Sequence, residues 1–321
     1  MTDQPTATPE RPLDPHGVIA SERYRRSRGL WRVLAFVALA IAVIVGLGRF
    51  ALPNTATGEH IARVVIDGTI ATDPARLATL NELAEDDSVK AVIVAINSPG
   101  GTTAGGEELY EALGQLRAKK PVVAVIKELG ASAAYMTAIA TDQIFARRLS
   151  IVGSIGVLYQ HINAGKLLDT IGVGLDKVAS GPLKAEPDIN EPMTGAARDS
   201  IAALVDDSFQ WFVDVVAERR KLTRSATLTL ADGRIMTGRI GIQTGLIDAI
   251  GGELEAIAWL EAEREVPADL EVVTAWPVAE NGFGWLGAFM QGQARGLLGL
   301  SGSGAITLDG LVSLWQVGAA S

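Results

Sequence analysis

Residues 128–136 read E-L-G-A-S-A-A-Y-M, and the rest of the chain is organised around them. The apolar, β-branched run P-V-V-A-V-I at 121–126 leads in like a buried strand. The small-residue run A-A-Y-M-T-A-I-A at 133–140 leads out like a helix. Ser132 stands at the junction, where a helix N-terminus offers backbone N–H groups that lack intrahelical partners. Its neighbours Gly130, Ala131, Ala133 and Ala134 would let another chain approach its hydroxyl closely. The commoner reading of such a serine is a plain N-cap. The other reading, a nucleophile on a strand-to-helix turn, needs support from elsewhere in the chain.

Outward from this junction strand and helix patterns alternate. On the N-terminal side, R-V-V-I at 63–66 predicts a strand and D-G at 67–68 a turn. Leu77, Leu80, Leu83 and Ala84 give 74–85 helical spacing. The near-continuous run V-K-A-V-I-V-A-I at 89–96 predicts a strand buried on both faces. N-S-P-G-G-T-T-A-G-G at 97–106 is expected to be a loop, followed by an amphipathic helix to about Arg117. On the C-terminal side strands are expected at 143–146, 155–159 and 174–178, with a turn around 152–154 and a short helix at 165–170. Three prolines make 180–192 a loop, and long helices are predicted from Thr194 to about Lys221 and over 253–264. The alternation predicts an α/β fold with right-handed crossovers and a largely parallel sheet covered by helices.

Composition narrows the function classes. A 321-residue chain with 48% hydrophobic and 20% charged residues fits a globular protein with one membrane segment. Its net charge of −9 argues against a nucleic-acid partner. The absence of cysteine rules out disulfides and thiolate metal sites, and His16, His60 and His161 are too few for a His-rich metal centre. No metal or cofactor is expected. Residues 1–28 lack apolar periodicity and are expected to form a disordered cytoplasmic tail. Residues 29–52 form a candidate transmembrane helix. Its uncharged run, 33–48, is extended by snorkelling of Arg32 and Arg49 to the roughly 20 residues a bilayer needs. Arg23, Arg25, Arg26, Arg28 and Arg32 on the N-terminal side leave the N-terminus in the cytoplasm and everything after residue 52 on the outer side. A linker at 53–60 then leads to a folded domain over 61–264, and 265–321 is an extension of no assigned role.

Three stretches bear on chemistry. S-P-G-G at 98–101 follows a buried strand, and consecutive glycines there allow N–H groups to be aimed at one bound oxygen, as an oxyanion hole requires. A plain turn is the alternative. The amide of Ala133, following Ser132, is a natural second donor. The third stretch carries Lys184. A serine nucleophile needs a base, and His161 in its apolar surroundings reads as a structural donor. An unperturbed lysine has a pKa of about 10.4, so only roughly one in two thousand is neutral at pH 7. Burial that lowers this by about three units, at about 4 kcal/mol, makes a lysine a competent base, and Ser–Lys pairs are a variant of the triad logic. A solvated loop lysine is the commoner alternative.

These pieces, in order, resemble the signal peptide peptidase A family of membrane-anchored serine peptidases. The resemblance runs from about Ile61 to Leu260. It rests on V-V-I-D-G at 64–68, N-S-P-G-G at 97–101, A-S-A-A-Y at 131–135, V-G-S-I-G-V at 152–157, S-G-P-L-K at 180–184, D-G-R-I-M-T-G-R at 232–239 and G-L-I-D at 245–248. It implies a Clp/crotonase-like superhelix for the peptidase domain at 61–264. It also implies Ser132 as nucleophile, Lys184 as general base, the amides of Gly101 and Ala133 as oxyanion donors, and Ser154 as the hydroxyl that orients the lysine amine. Shorter members of the family share active sites between subunits of a ring, so a membrane-tethered homo-oligomer is implied, degrading remnant signal peptides. Ala133-Ala134 stand where the family usually has two glycines, which narrows the space beside the nucleophile.

Other readings keep the fold and change the function. A crotonase-type acyl-CoA enzyme would use the same pair of amides to hold an enolate, although an outward-facing anchored domain would be separated from cytoplasmic thioesters. A non-catalytic membrane scaffold would make Ala133-Ala134 a mark of site decay. A relative within the family would process one specific membrane protein instead of signal-peptide debris.

Overall fold

Strand β2 (Val89–Thr102) is the spine of the molecule, and its sequence explains the layers on either side. Successive side chains of a strand point to opposite faces. In β2, Val92, Val94 and Ile96 enter one core, while Ala91 and Ile93 enter the other. Strand β3 (Val122–Ala131) does the same, with Ala124 and Ile126 on the first face and Val123 and Val125 on the second. Both faces are therefore buried, and the run shows no polar alternation.

The computed structural model describes residues 31, 34–39, 58–277 and 312–314. Residues 34–39 are helical and exposed and belong to a compact unit separate from the one that holds the sheet. The tail at 1–28, the linker at 53–57 and most of the anchor at 29–52 lie outside the described residues. Among those described, no helix is long and apolar enough to cross a membrane.

The sheet runs β6 (Ile235–Thr237), β5 (Ile151–Gly153), β3, β2, β1 (His60–Ile70), β8 (Glu271–Trp276). Strand β4 (Gln143–Ala146) pairs with β3 and with β7 (Ala249–Ile250). All these pairs are parallel except β5 with β6. A ninth strand, β9 (Val312–Leu314), adds antiparallel to the end of β2. The largely parallel α/β architecture is the expected one.

Helices α1 (Pro74–Glu85), α2 (Thr103–Arg117), α3 (Ala133–Ile139) and α5 (Gly195–Arg220) contribute to the first core through Leu80, Leu109, Tyr135 and Phe212. α8 (Glu253–Glu263) covers the other face through Ala256 and Leu260. Short helices α4 (Gly165–Thr170), α6 (Arg224–Leu230) and α7 (Gly238–Gln243) complete the described helices of the unit that holds the sheet. Caps set several boundaries. Asp73 accepts from the amides of Ala75 and Arg76 with Pro74 at the first helical turn, and Thr102 and Thr194 cap α2 and α5.

Several local expectations need correction. Residues 97–106 are not a loop. β2 continues to Thr102 because Gly100 and Gly101 stay paired with Thr69 and Ile70 of β1, and Thr102 then starts α2. The turn expected around 152–154 contains strand β5, while 155–159 and 174–178 form no regular strand. The sheet also extends past residue 264, since β8 lies beside β1.

The G-L-I-D stretch at 245–248 is explained by what it holds. The Gly245 carbonyl accepts from Arg220 Nε (2.7 Å), and the Leu246 carbonyl accepts from the Tyr135 hydroxyl (2.8 Å). Asp248 takes both Nη atoms of Arg220 (2.7 and 3.0 Å) and the Ile144 amide (2.8 Å). The preceding Arg219 bonds the carbonyls of Ile139 and Thr141 at the far end of α3, each at 2.7 Å. Burial keeps the Tyr135 phenol in its protonated, donating form by pushing its pKa up. Tyr135→Phe leaves the Leu246 carbonyl without that donor and is expected to cost about 1–3 kcal/mol in denaturant unfolding.

Candidate active site

Ser132 stands at the N-cap position of α3 but does not cap it with its side chain. Its backbone lies at φ 60° and ψ −122°, and its side chain makes no capping bond to α3. That conformation matches the first central position of a type II′ turn, which glycine normally occupies. A residue carrying a Cβ there costs about 1–3 kcal/mol and persists only where its surroundings over-determine it. Here they do. The Ser132 amide donates to the Gly153 carbonyl of β5 (2.9 Å), and its carbonyl accepts from Met136 (2.9 Å). β3 delivers the serine and α3 carries the chain away, so the residue sits on a sharp strand-to-helix turn like the elbow that presents a nucleophile. Ser132 is almost fully buried in the single chain, as is Ala133 behind it.

The end of β2, which bears the expected oxyanion donor Gly101, runs beside this turn. Ser98 pairs with Gly130, two residues before the serine. The hydroxyl of Ser98, fully buried, accepts from the Gly100 amide at 3.1 Å and fixes the turn, while Gly100 itself has φ 105°. Only glycine fits at 101, because a Cβ there would lie 1.8 Å from the Ile70 carbonyl oxygen. Ser98 as a positioning residue was missed in the sequence reading. The signal was present as a serine two residues ahead of a glycine, the spacing of a hydroxyl-closed turn.

Ser154 lies immediately after β5, at φ 52°, and is largely buried. Its amide donates to the Arg234 carbonyl (2.8 Å), and the Gly233 amide donates back to Ile155 (3.2 Å). The D-G-R stretch at 232–234 thus holds Ser154 in place. Arg234 bonds Asp232 through its side chain and amide and holds that carboxyl down to about 2, so this turn keeps its charge pair until the pH falls through that value.

The structure therefore brings Gly101, Ser132, Ala133 and Ser154 onto adjacent elements. Lys184 is placed differently. It stands exposed in a turn closed by its amide on the Gly181 carbonyl (3.1 Å), next to Ala185 at φ 66°. The carboxylates nearby in sequence belong to another lysine. Lys177 binds Glu186 (2.6 Å), Asp188 (2.8 Å) and Glu191 (3.7 Å), and its hydrogen bonds to Asp188 and Glu186 push its pKa up. Among the described residues no ion pair involves Lys184. Lys177 was also missed, since the charges it gathers lie up to fourteen residues away along an irregular segment. The two described histidines are engaged elsewhere, His60 Nδ1 on the Gly58 carbonyl (3.0 Å) and His161 Nε2 on the Glu191 carbonyl (3.3 Å).

The chain thus holds a serine at positive φ on a strand-to-helix turn of a largely parallel α/β sheet, next to a glycine-rich strand end. The sequence model described as peptidase family S49 matches residues 114–267, a span that includes Ser132, Ala133, Ser154 and Lys184. A protein of Synechocystis sp. provisionally named a protease is 36% identical over 208 residues, 64% of this chain and 75% of that one. A Methanocaldococcus jannaschii protein, also provisionally named a protease, is 37% identical over 182 residues, 57% of this chain and 58% of its own. An Enterococcus faecium protein provisionally named signal peptide peptidase SppA is 32% identical over 194 residues, 59% of this chain and 56% of its own. The chain belongs to peptidase family S49. It spans a little over half the length of the latter two relatives.

Proposed function

We propose that this chain is a serine peptidase in which Ser132 attacks and Lys184 is the base. The observation that carries the reading is the backbone of Ser132, a non-glycine residue held at a glycine conformation with no side-chain capping bond to α3. In the reaction, the Ser132 hydroxyl oxygen adds to the scissile carbonyl while its proton passes to the neutral amine of Lys184. The amides of Gly101 and Ala133 hold the developing oxyanion. Lys184 then gives the proton to the departing amine, and a water deprotonated by the same amine releases the acyl group. Ser154 orients the lysine.

An exposed Lys184 does not complete such a site within one chain. The segment 157–192 that carries it displays Ile162, Leu167, Ile171, Val178 and Ile189 to solvent, an apolar surface that suits a neighbouring copy. We place Lys184 of one subunit against Ser132 of the next, in a homo-oligomer whose contacts bury the lysine and favour its neutral form. Apolar peptides, signal-peptide remnants among them, are the proposed substrates. The N-terminal segment at 29–52 would anchor the assembly in the cytoplasmic membrane, with the catalytic domain on the outer side.

Labelling by a serine-reactive phosphonate tests the reading. Ser132 should be modified, and faster as the pH rises from about 6 to 9, because the neutral amine is the active form. Modification elsewhere, or a rate flat across that range, overturns the dyad.

A further inference from the structure

Lys184 is carried on an excursion of the chain, and a second lysine closes that excursion at its base. After α4 the chain runs out through 174–177 and returns through 186–191 without forming a helix or a strand. The returning limb is fixed to the body of the domain. The Ile189 carbonyl accepts from the Ala164 amide (2.7 Å), and the Asn190 carbonyl oxygen packs so close to Gly165 that a Cβ there would lie 2.0 Å from it. The outgoing limb is tied to the returning one by side chains. Asn190 Nδ2 donates to the Leu175 carbonyl (3.5 Å), and the Lys177 ammonium takes Glu186 (2.6 Å) and Asp188 (2.8 Å), with Glu191 at 3.7 Å. Residues 178–185, Lys184 among them, thus form a loop closed by Lys177 on Glu186.

Exposed ion pairs add little, because water screens them. This one is different on the acid side. The Glu186 side chain is only 8% exposed, and its second oxygen, Oε2, is buried with no hydrogen-bond partner among the described residues. Removing the cation from such a pair leaves an uncompensated buried charge, which the segment can relieve only by moving. Hydrogen bonds to Asp188 and Glu186 keep Lys177 protonated, so it holds carboxylates and takes no proton.

We propose that Lys177 is a positioning residue for the reaction, closing the loop at Glu186 and so setting where the amine of Lys184 stands. The proposal rests on Lys184 being the base for Ser132. Inside the loop the holds are light, the Lys184 amide on the Gly181 carbonyl (3.1 Å) and the Glu186 amide on the Leu183 carbonyl (3.4 Å). Once its ends part, the amine is free to shift, and a misplacement of about 1 Å can cost on the order of a hundredfold in rate.

Lys177→Ala and Lys177→Arg in the full chain test this. With an apolar peptide, Lys177→Ala is expected to lower kcat about ten- to a hundredfold with KM within about twofold, and to slow phosphonate labelling of Ser132 by the same factor. Lys177→Arg keeps a cation for the carboxylates and is expected to restore kcat to within about threefold. Amide exchange over 178–185 should accelerate in the alanine variant and slow again in the arginine one. Glu186→Ala, which opens the closure from the other limb, should repeat the loss in kcat. Arginine cannot be deprotonated in a protein, so an arginine variant as inactive as the alanine one would make Lys177 the proton acceptor and overturn the positioning role. A loss confined to KM, or exchange over 178–185 that neither variant changes, overturns it as well. If the unsubstituted chain neither cleaves peptide nor takes phosphonate at Ser132, the peptidase reading fails, and the exchange measurement still decides whether Lys177 closes the loop.

Discussion

Ser132→Gly is expected to abolish peptide cleavage and yet give a more stable protein than Ser132→Ala. Both variants lack the hydroxyl, so both should lose at least about a thousandfold in kcat/KM, as removal of a nucleophile does in the serine peptidases. Comparing the two isolates the backbone. Alanine keeps the Cβ that makes φ 60° and ψ −122° unfavourable, whereas glycine adopts that conformation freely. The difference should be about 1–2 kcal/mol in favour of glycine, after allowing for glycine's larger loss of chain entropy on folding. An ordinary helix start also favours glycine over alanine, by about 1 kcal/mol, so the upper part of that range is what reports the strained backbone. Denaturant unfolding measures the difference directly. Equal stabilities, or alanine ahead, would mean that the turn relaxes and that Ser132 is not held for attack.

Lys184→Ala is expected to be as inactive as Ser132→Ala, and a mixture of the two should recover activity. If the serine of one subunit works with the lysine of the next around a closed ring, a random equal mixture leaves intact pairs at about one interface in four. Co-assembled variants should then reach about a quarter of the unsubstituted rate. Variants assembled separately and mixed without subunit exchange should stay inactive. Recovery in neither case, with oligomers formed, places both residues in the same chain or removes Lys184 from the reaction.

Much of the architecture could be read from the sequence because both faces of the central strands are buried. Apolar runs such as 89–96 and 121–126 have one physical explanation in an alternating β–α chain. The difficulty lay at the ends of strands. Gly100 and Gly101 signal a loop by composition, yet they continue β2 because their lack of side chains lets β1 come within contact distance. Composition alone cannot separate a glycine that frees the chain from one that admits a neighbour. Ser132 posed the same problem, since cap and elbow share a sequence and differ in a backbone angle set by Gly153 and by the start of α3. Lys184 was legible as a chemical type only, since it stands exposed in a turn of an irregular segment that gives its side chain no ion-pair partner among the described residues.

The helix that follows Ser132 is only seven residues long, too short to hold its own shape in water. Its form is imposed by Tyr135 on Leu246 and by Arg219 at its last carbonyls, groups that arrive about eighty to a hundred and ten positions later. A fragment ending near residue 190 would contain Gly101, Ser132, Ala133, Ser154 and Lys184 and would still lack the means to aim them. For this protein, carrying the residues of the proposed site and holding the turn that presents Ser132 are separate properties, and the second depends on contacts from the C-terminal half.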